Sequence, residues 1–335
     1  MKLIRFLLFP IAVVYDVVTS IRNHFFESGF FSSKTYTTPT IVVGNLSVGG
    51  TGKSPQIEYL IRLLKDQYKV ATLSRGYKRK TEGFQIVNNT HTAEDVGDEP
   101  LQFFSKFDNI TVAVDANRRE GIEKLQEKKN PDVILLDDAF QHRKVKAGFY
   151  ILLTKYNDLY VNDFLLPTGN LRESKRGAKR ADVVVVTKCP QLTDAEKLKV
   201  KKKLQLQMHQ QLFFSSIVYN EFLRGEEEVS LASLKEKEIV LVTGIAAPAP
   251  LLTFLTSEGI QFTHLKFPDH HNFTDADILK ITKVSQQKMI LTTEKDYVRL
   301  KGRLNNLFYI GIETTFLEHE QSFNDCVLDY VSLRN

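Results

Sequence analysis

Residues 41–55 read IVVGNLSVGGTGKSP, and this stretch decides the fold. An apolar strand runs into a glycine-rich turn, and Gly52-Lys53-Ser54 then opens a helix. Glycine tolerates the backbone angles that let successive N–H groups close around phosphate oxygens. A helix N-terminus adds partial positive charge to the same place. In such a loop Gly49, Gly50, Thr51 and Gly52 cradle the phosphates, Lys53 reaches the β- and γ-phosphates, and Ser54 holds Mg2+. The strict spacing G-x-x-x-x-G-K-[ST] is not met, because Ser47 stands where the first glycine belongs. Gly49 and Gly50 still keep the turn permissive.

The flanking sequence repeats this strand-to-helix logic. Short apolar runs at Thr40–Gly44, Lys69–Ser74, Ile110–Val114, Asp132–Asp137, Phe149–Thr154 and Asp182–Thr187 are dense in Val, Ile and Leu without alternation. That density fits strands buried on both faces of a parallel sheet. Between them, 54–66, 98–107, 117–129 and 193–208 read as helices. A second set follows, with strands at Ile239–Thr243, Ile260–Leu265, Met289–Leu291 and Leu307–Ile312. Its helices are Pro248–Ser257, Thr274–Gln287 and Leu317–Leu333. The expected fold is a P-loop NTPase-like doubly wound α/β domain with a mostly parallel sheet, joined to a second, smaller α/β domain. The boundary is placed in 212–238, a stretch that carries GEEE at 225–228. The expected division is 1–28 as an N-terminal helix, 29–215 as the nucleotide-type domain and 216–335 as the smaller one.

Composition excludes several classes. The chain has 335 residues, 42% hydrophobic and 25% charged, which is too apolar for a disordered chain and too polar for a polytopic membrane protein. The net charge of +5 suits an anionic partner without naming one. Cys189 and Cys326 lie too far apart for a metal-ligand spacing and read as small apolar residues. At the N-terminus, the uninterrupted apolar run Phe6–Tyr15 contains Pro10 and is half the length a spanning helix needs, about 20 residues. Lys2 and Arg5 precede it, and no A-x-A-like cleavage site follows. Residues 20–31, SIRNHFFESGFF, add further bulky apolar groups. The pattern suits an interfacial amphipathic helix, or equally a helix docked on the domain's own core.

A phosphate loop needs an acidic residue ending a buried strand to hold Mg2+. VILLDDAFQH, residues 133–142, supplies Asp137 and Asp138. Three classes then compete for the γ-phosphate: a kinase, a GTPase and an ATPase motor. Thr187-Lys188-Cys189-Pro190 puts Pro where a guanine-reading [NT]-K-x-D would need Asp. Val48 stands where the related loop of partitioning and ion-pump ATPases carries a lysine. A kinase needs a group to take the acceptor proton. Asp98, in Val96-Gly97-Asp98-Glu99-Pro100, fits that role and fits helix N-capping equally well. Pro268-Asp269-His270-His271-Asn272-Phe273 offers an imidazole beside a carboxylate. Basic runs at 75–80, 118–119 and 175–180 read either as ordinary solvated surface or as an anion-receiving rim.

Nine segments now stand in one order: VGNLSVGGTGKSP, LSRGY, VGDEP, DANR, DDAFQH, GNLRE, VVTKCP, FPDHHNF and TTEKD. Together they closely resemble the tetraacyldisaccharide 4′-kinase family of lipid A biosynthesis. The resemblance implies ATP- and Mg2+-dependent phosphorylation of the 4′-hydroxyl of an acylated glucosamine disaccharide phosphate. It implies a peripheral enzyme on the cytoplasmic face of the inner membrane, with the site in a cleft between two domains. Neither nucleic acid nor an obligate protein partner is expected. On this resemblance Asp98 is the catalytic base, His270 assists it and Asp269 orients the imidazole. Lys53 and Ser54 contact nucleotide and Mg2+, Asp137 and Asp138 are the metal-side carboxylates, and Glu173 neighbours the nucleotide. Arg172 and Arg118 steady phosphate or substrate. The N-terminal helix dips into the leaflet. The departures are Ala139, where many members have Gly, and His271 beside His270. The rival reading is a P-loop GTPase or metallochaperone-type NTPase, with a pure nucleotide-binding module third.

Overall fold

The structure is a computed structural model and describes residues 5–334, so Lys2 lies outside the described residues. The chain opens with helix α1 (Phe9–Glu27) and then enters an alternating series. The series runs β1 (Thr40–Asn45), α2 (Lys53–Leu64), β2 (Val70–Ser74), β3 (Gln85–Ile86), α3 (Ala93–Val96), α4 (Asp98–Lys106), β4 (Thr111–Val114), α5 (Arg118–Lys129), β5 (Val133–Asp137), β6 (Phe149–Lys155), β7 (Val183–Thr187) and α6 (Asp194–Leu204). The remainder is β8 (Gln211–Arg224), β9 (Glu228–Ser230), β10 (Glu238–Thr243), α7 (Ala249–Ser257), β11 (Gln261–Lys266), α8 (Asp275–Ser285), β12 (Ile290–Thr293), α9 (Glu294–Leu300), β13 (Leu307–Phe316) and α10 (Glu320–Ser332).

The strands lie in the order β11-β10-β12-β13-β8-β7-β6-β1-β5-β2-β4-β3, with β9 on β8. Pairing is parallel from β4 through β8, and again from β11 through β13. β3 is an antiparallel edge. Every residue of β1, β2, β5 and β7 is buried, as continuous apolar runs demand when helices cover both faces. The phosphate loop leaves the carboxyl end of β1, between β5 and β6, where the strand order reverses. Such a switch point is where open α/β sheets receive ligands.

The stretch 212–238 contains most of β8, the longest strand among the described residues. β8 pairs in parallel with β7 through residues 211–214 and then antiparallel with β13 through 215–224. One strand therefore belongs to both halves of the sheet. Its burial follows no clean alternation, because successive parts of it face different neighbours. Without a period of two, the sequence carried no strand signal there.

Two contacts tie late helices of the chain to this frame. In α10, Phe323, Val327 and Val331 are fully buried in one cluster with Ile57, Leu60 and Ile61 of α2. A buried ion triad joins α2, α4 and α9: Lys106 Nζ lies 2.7 Å from Glu58 and 2.9 Å from Glu294. This triad sets α4 beside α9, and that adjacency builds half of the site described next.

Candidate active site

The loop between β1 and α2 is held from three sides. Gly52 caps α2 at φ +89°, a left-handed angle that favours glycine, and Lys53 is the first helical residue. Asn45 Nδ2 donates to Thr51 Oγ1 at 2.7 Å, and Thr187 Oγ1 donates to the Thr51 carbonyl at 2.8 Å. Lys188 Nζ donates to the Gly50 carbonyl at 2.9 Å. Val48, Gly49 and Gly50 remain exposed, so the crest of the loop faces solvent while its base is fixed. The GNLRE segment runs alongside, with Val48 N bonded to the Asn170 carbonyl and Arg172 N to the Leu46 carbonyl.

The two strand-end carboxylates have different surroundings. Asp138 receives both terminal nitrogens of Arg172, at 2.7 and 3.0 Å, and Lys53 Nζ lies 3.8 Å away. The Arg172 hydrogen bond and these cations hold its carboxyl below the usual range, against the opposing effect of burial. Asp137 is buried and has only a weak contact, Ser74 Oγ at 3.3 Å on Oδ2. Its Oδ1 is buried and finds no hydrogen-bond partner among the described residues. Burial, followed by the neighbouring Asp138 charge, pushes its carboxyl up to about 7. An orphaned carboxylate oxygen at a phosphate loop fits a divalent cation completed by water and phosphate oxygens. Among the described residues no group of three or more His, Cys, Asp or Glu forms a metal cage. Mg2+ at a nucleotide site needs none, since one or two carboxylates suffice.

Glu173 is buried and already satisfied by Arg180 at 2.7 Å, Gln141 at 2.9 Å and Asn23 at 3.0 Å. Arg180 is thus not part of a free basic rim. Arg118 is also no surface cation: it is buried, donating to the Asp115 carbonyl at 2.8 Å and the Asp137 carbonyl at 3.3 Å. It buttresses the end of β5, because a guanidinium can satisfy several converging carbonyls at once.

The second cluster joins the two halves of the sequence. Gly97, at φ +94°, caps α4, and Asp98 is its first helical residue with no side-chain cap bond. The Asp98 carboxylate is spent elsewhere. Its Oδ2 lies 2.8 Å from His270 Nδ1, and its Oδ1 accepts from Arg299 Nε at 2.6 Å. Helix capping therefore does not explain this aspartate. Arg299 also donates to the carbonyls of His270 and His271 and to the Asn272 side chain. Asp269 makes no hydrogen bond to the imidazole: its Oδ2 is 4.0 Å from His270 Nε2, and its Oδ1 pairs with Lys295 at 3.4 Å. The contact expected of Asp269 falls to Asp98 on one ring nitrogen and Lys295, at 3.0 Å, on the other. His271 turns away to Asp277, which leaves His270 as the imidazole beside Asp98. His270 and Asp138 both hold left-handed backbones, at φ 57° and 47°. Such angles cost non-glycine residues on the order of 1–3 kcal/mol and gather at working sites.

The clusters are neighbours, since Glu99, next to Asp98, is close enough to help raise Asp137. Sequence reasoning missed Asn45, Lys188, Lys295 and Arg299. Lys295 sat inside the quoted TTEKD without a role, and Arg299 carried no signal beyond its place four residues later.

The helix α1 adjoins the nucleotide side. Tyr15 Oη donates to the Arg172 carbonyl at 2.9 Å, and Arg5 Nε donates to the Pro167 carbonyl at 3.0 Å. Only Ala12 and Asn23 of this helix are buried, while Ile11, Val13, Val14, Val17, Val18 and Ile21 are exposed. Among the described residues no helix is long and apolar enough to cross a membrane.

The chain is similar to known proteins over nearly its whole length. The sequence profile of the tetraacyldisaccharide-1-P 4′-kinase family (LpxK) matches residues 4–332. A tetraacyldisaccharide 4′-kinase of Flavobacterium johnsoniae is 52% identical, over 99% of this chain and 98% of its own length. That of Bacteroides thetaiotaomicron is 44% identical, over 97% of this chain and 92% of its own. A crystal structure of LpxK from Aquifex aeolicus in complex with ATP superposes with a TM-score of 0.83 at 32% identity, covering 98% of this chain and 99% of that one. The phosphate loop, the carboxylate pair beside it and the full-length likeness converge, and the chain belongs to the tetraacyldisaccharide-1-P 4′-kinase family.

Proposed function

We propose that this protein transfers the γ-phosphoryl group of ATP to the 4′-hydroxyl of a tetraacylated glucosamine disaccharide 1-phosphate, a step of lipid A biosynthesis. The observation that carries the reading is the Asp98–His270 pair, drawn from residues 172 apart in sequence and set near the acidic end of β5, the strand beside the phosphate-loop strand. Asp98 takes the proton of the acceptor hydroxyl as its oxygen bonds to phosphorus and the bond to the β,γ-bridging oxygen breaks. His270 holds that carboxylate in place. Lys53 and the loop of Gly49, Gly50, Thr51 and Gly52 bind the phosphates, and Lys53 meets the charge that grows on the transferring group. Ser54 and Asp137 would hold Mg2+, with Asp138 kept beside them by Arg172. Bound there, Mg2+ supplies charge neutralisation on the phosphate oxygens. Glu173 braces the nucleotide side through its own partners.

The acceptor keeps four acyl chains in a leaflet, so the enzyme must meet it there. The exposed apolar face of α1 supports a peripheral site on the cytoplasmic face of the inner membrane, with the catalytic residues left in water. We divide the chain into a helix at 1–28, a nucleotide half to about 215 and an acceptor-side half beyond it, with β8 as their shared strand.

One assay tests the reading: γ-labelled ATP or GTP, each with and without the acylated disaccharide phosphate. Label should pass to lipid from ATP, and Asp98→Ala should lower that turnover by roughly 10²–10⁴ while ATP binding persists. Phosphate released from GTP alone, with no labelled lipid, would assign the chain to the rival class of GTPases.

A further inference from the structure

Lys295 and Arg299 stand four residues apart on α9 and so share one of its faces. That face lies against the Asp98–His270 pair. Lys295 Nζ is 3.0 Å from His270 Nε2, and Arg299 Nε is 2.6 Å from Asp98 Oδ1. We propose that Lys295 and Arg299 are the positioning residues of this pair: Lys295 keeps His270 neutral with its proton on Nδ1, and Arg299 anchors Asp98 and the 270–272 turn together. The inference rests on the reading of Asp98 as the proton acceptor.

The tautomer follows from donor counting. An ammonium has three donors and no acceptor, so the ring nitrogen facing it must be the bare one. A neutral imidazole carries one N–H, which is then on Nδ1 and donates to Asp98 Oδ2. An imidazolium in the same place would press an N–H against the ammonium. The charges around the ring support the same assignment. Asp98 comes from α4, Asp269 from the ring's own turn, and Lys295 and Arg299 from α9. The Tyr77 ring meets it edge-on at 5.9 Å. The nearby Asp296 is turned to the Gly244 N–H, and His271 to Asp277. Two carboxylates therefore face two cations, and the imidazole has no net charge to answer.

Removing Lys295 breaks that balance. Two carboxylates then face one guanidinium, and protonation of His270 becomes favourable. An imidazolium beside Asp98 would stabilise its carboxylate and weaken it as a proton acceptor. Lys295 thus protects the basicity of Asp98 without touching the substrate. Arg299 works on geometry. Its fork spans the carboxylate from α4 and the backbone of the 270–272 turn, so it fixes the distance between partners that two different elements supply.

The test uses the full-length protein labelled with ¹⁵N-histidine, with His270→Gln to assign one signal among eight histidines. The parent should show His270 as a neutral ring protonated on Nδ1. Lys295→Met should raise its titration midpoint by about one pH unit or more, since a unit charge at this range is worth that much even in water. Lys295→Arg, which keeps the charge and the donor, should hold the parent midpoint. In turnover, Lys295→Met should move the acid limb of the kcat profile to higher pH by a similar interval, and His270→Gln should abolish that movement. Arg299→Met should lower kcat while sparing the KM for ATP, with partial rescue in Arg299→Lys. A parent ring protonated on Nε2, or an unmoved midpoint in Lys295→Met, would overturn the proposal. Near-normal turnover in Asp98→Ala would instead remove the base reading and leave the tautomer measurement standing.

Discussion

His142 closes the 137–142 motif with its ring partly buried and Nε2 without a partner among the described residues. Burial first, then the charges of Arg118, Lys144, Arg22 and Arg75, lowers its pKa to about 4. In the unfolded chain the same ring takes its proton near 6.5. Between those values the unfolded state binds more protons, so acidification through that window favours unfolding, and above it the ring adds no pH dependence. His142→Gln should therefore recover roughly 1 kcal/mol of the stability lost between about pH 7 and about pH 5, read from melts at both values. An equal loss in parent and variant would place the acid sensitivity elsewhere. At this scale the sequence was informative where chemistry is local. Gly52-Lys53-Ser54 reads locally as a glycine turn opening a helix, and Asp137-Asp138 as carboxylates ending a buried strand, which is where the structure has them. Asp98 was ambiguous, since one turn position serves both capping and proton transfer. Only the partners from residues 270 and 299 separate the two uses, and such long-range partners leave no trace in spacing.

At the scale of elements, α1 carries the plainest unanswered surface. Val14 and Val18 are 63% and 58% exposed, and neither takes part in the hydrogen bonds to the 167–173 segment. Val14→Asn with Val18→Asn should weaken co-sedimentation with anionic phospholipid vesicles by about tenfold or more, because each valine buried in a leaflet is worth roughly 1.5–3 kcal/mol. Thermal stability should hold within about 0.5 kcal/mol, as for other exposed positions. Vesicle binding equal to the parent's would show that the contact lies on another element. Point changes are cleaner than deletion here, because removing α1 also removes Asn23 from Glu173. Helices and buried strands were legible to within a few residues, as α4 and β5 illustrate. β8 was not. A strand whose neighbours change halfway along has no single inside face, so its polar residues fall at irregular steps.

For the whole molecule, the decisive facts are the shared strand and the returning C-terminus. Phe323 packs on Tyr59, Phe213 and Phe316 at ring separations of 5.7, 5.4 and 4.5 Å, so α10 completes the core begun by α2. Phe323→Ala should cost about 3–5 kcal/mol in denaturant unfolding. A loss below about 1 kcal/mol would mean that α10 docks without bearing on that core. No local pattern could have foretold this closure, since α10 reads as an ordinary amphipathic helix and its partner lies more than 250 residues earlier. The hydrogen bonds from α1 to the nucleotide side carry a last consequence. Tyr15 holds the Arg172 carbonyl and Asn23 holds Glu173, while Arg172 grips Asp138. On the reading that α1 rests on a lipid surface, two binding equilibria draw on the same ordered segment. Linkage is reciprocal: whatever adsorption gains by ordering that segment, nucleotide binding gains in return. The enzyme on its membrane and the enzyme in free solution would then differ in their affinity for ATP, although ATP itself never meets the lipid.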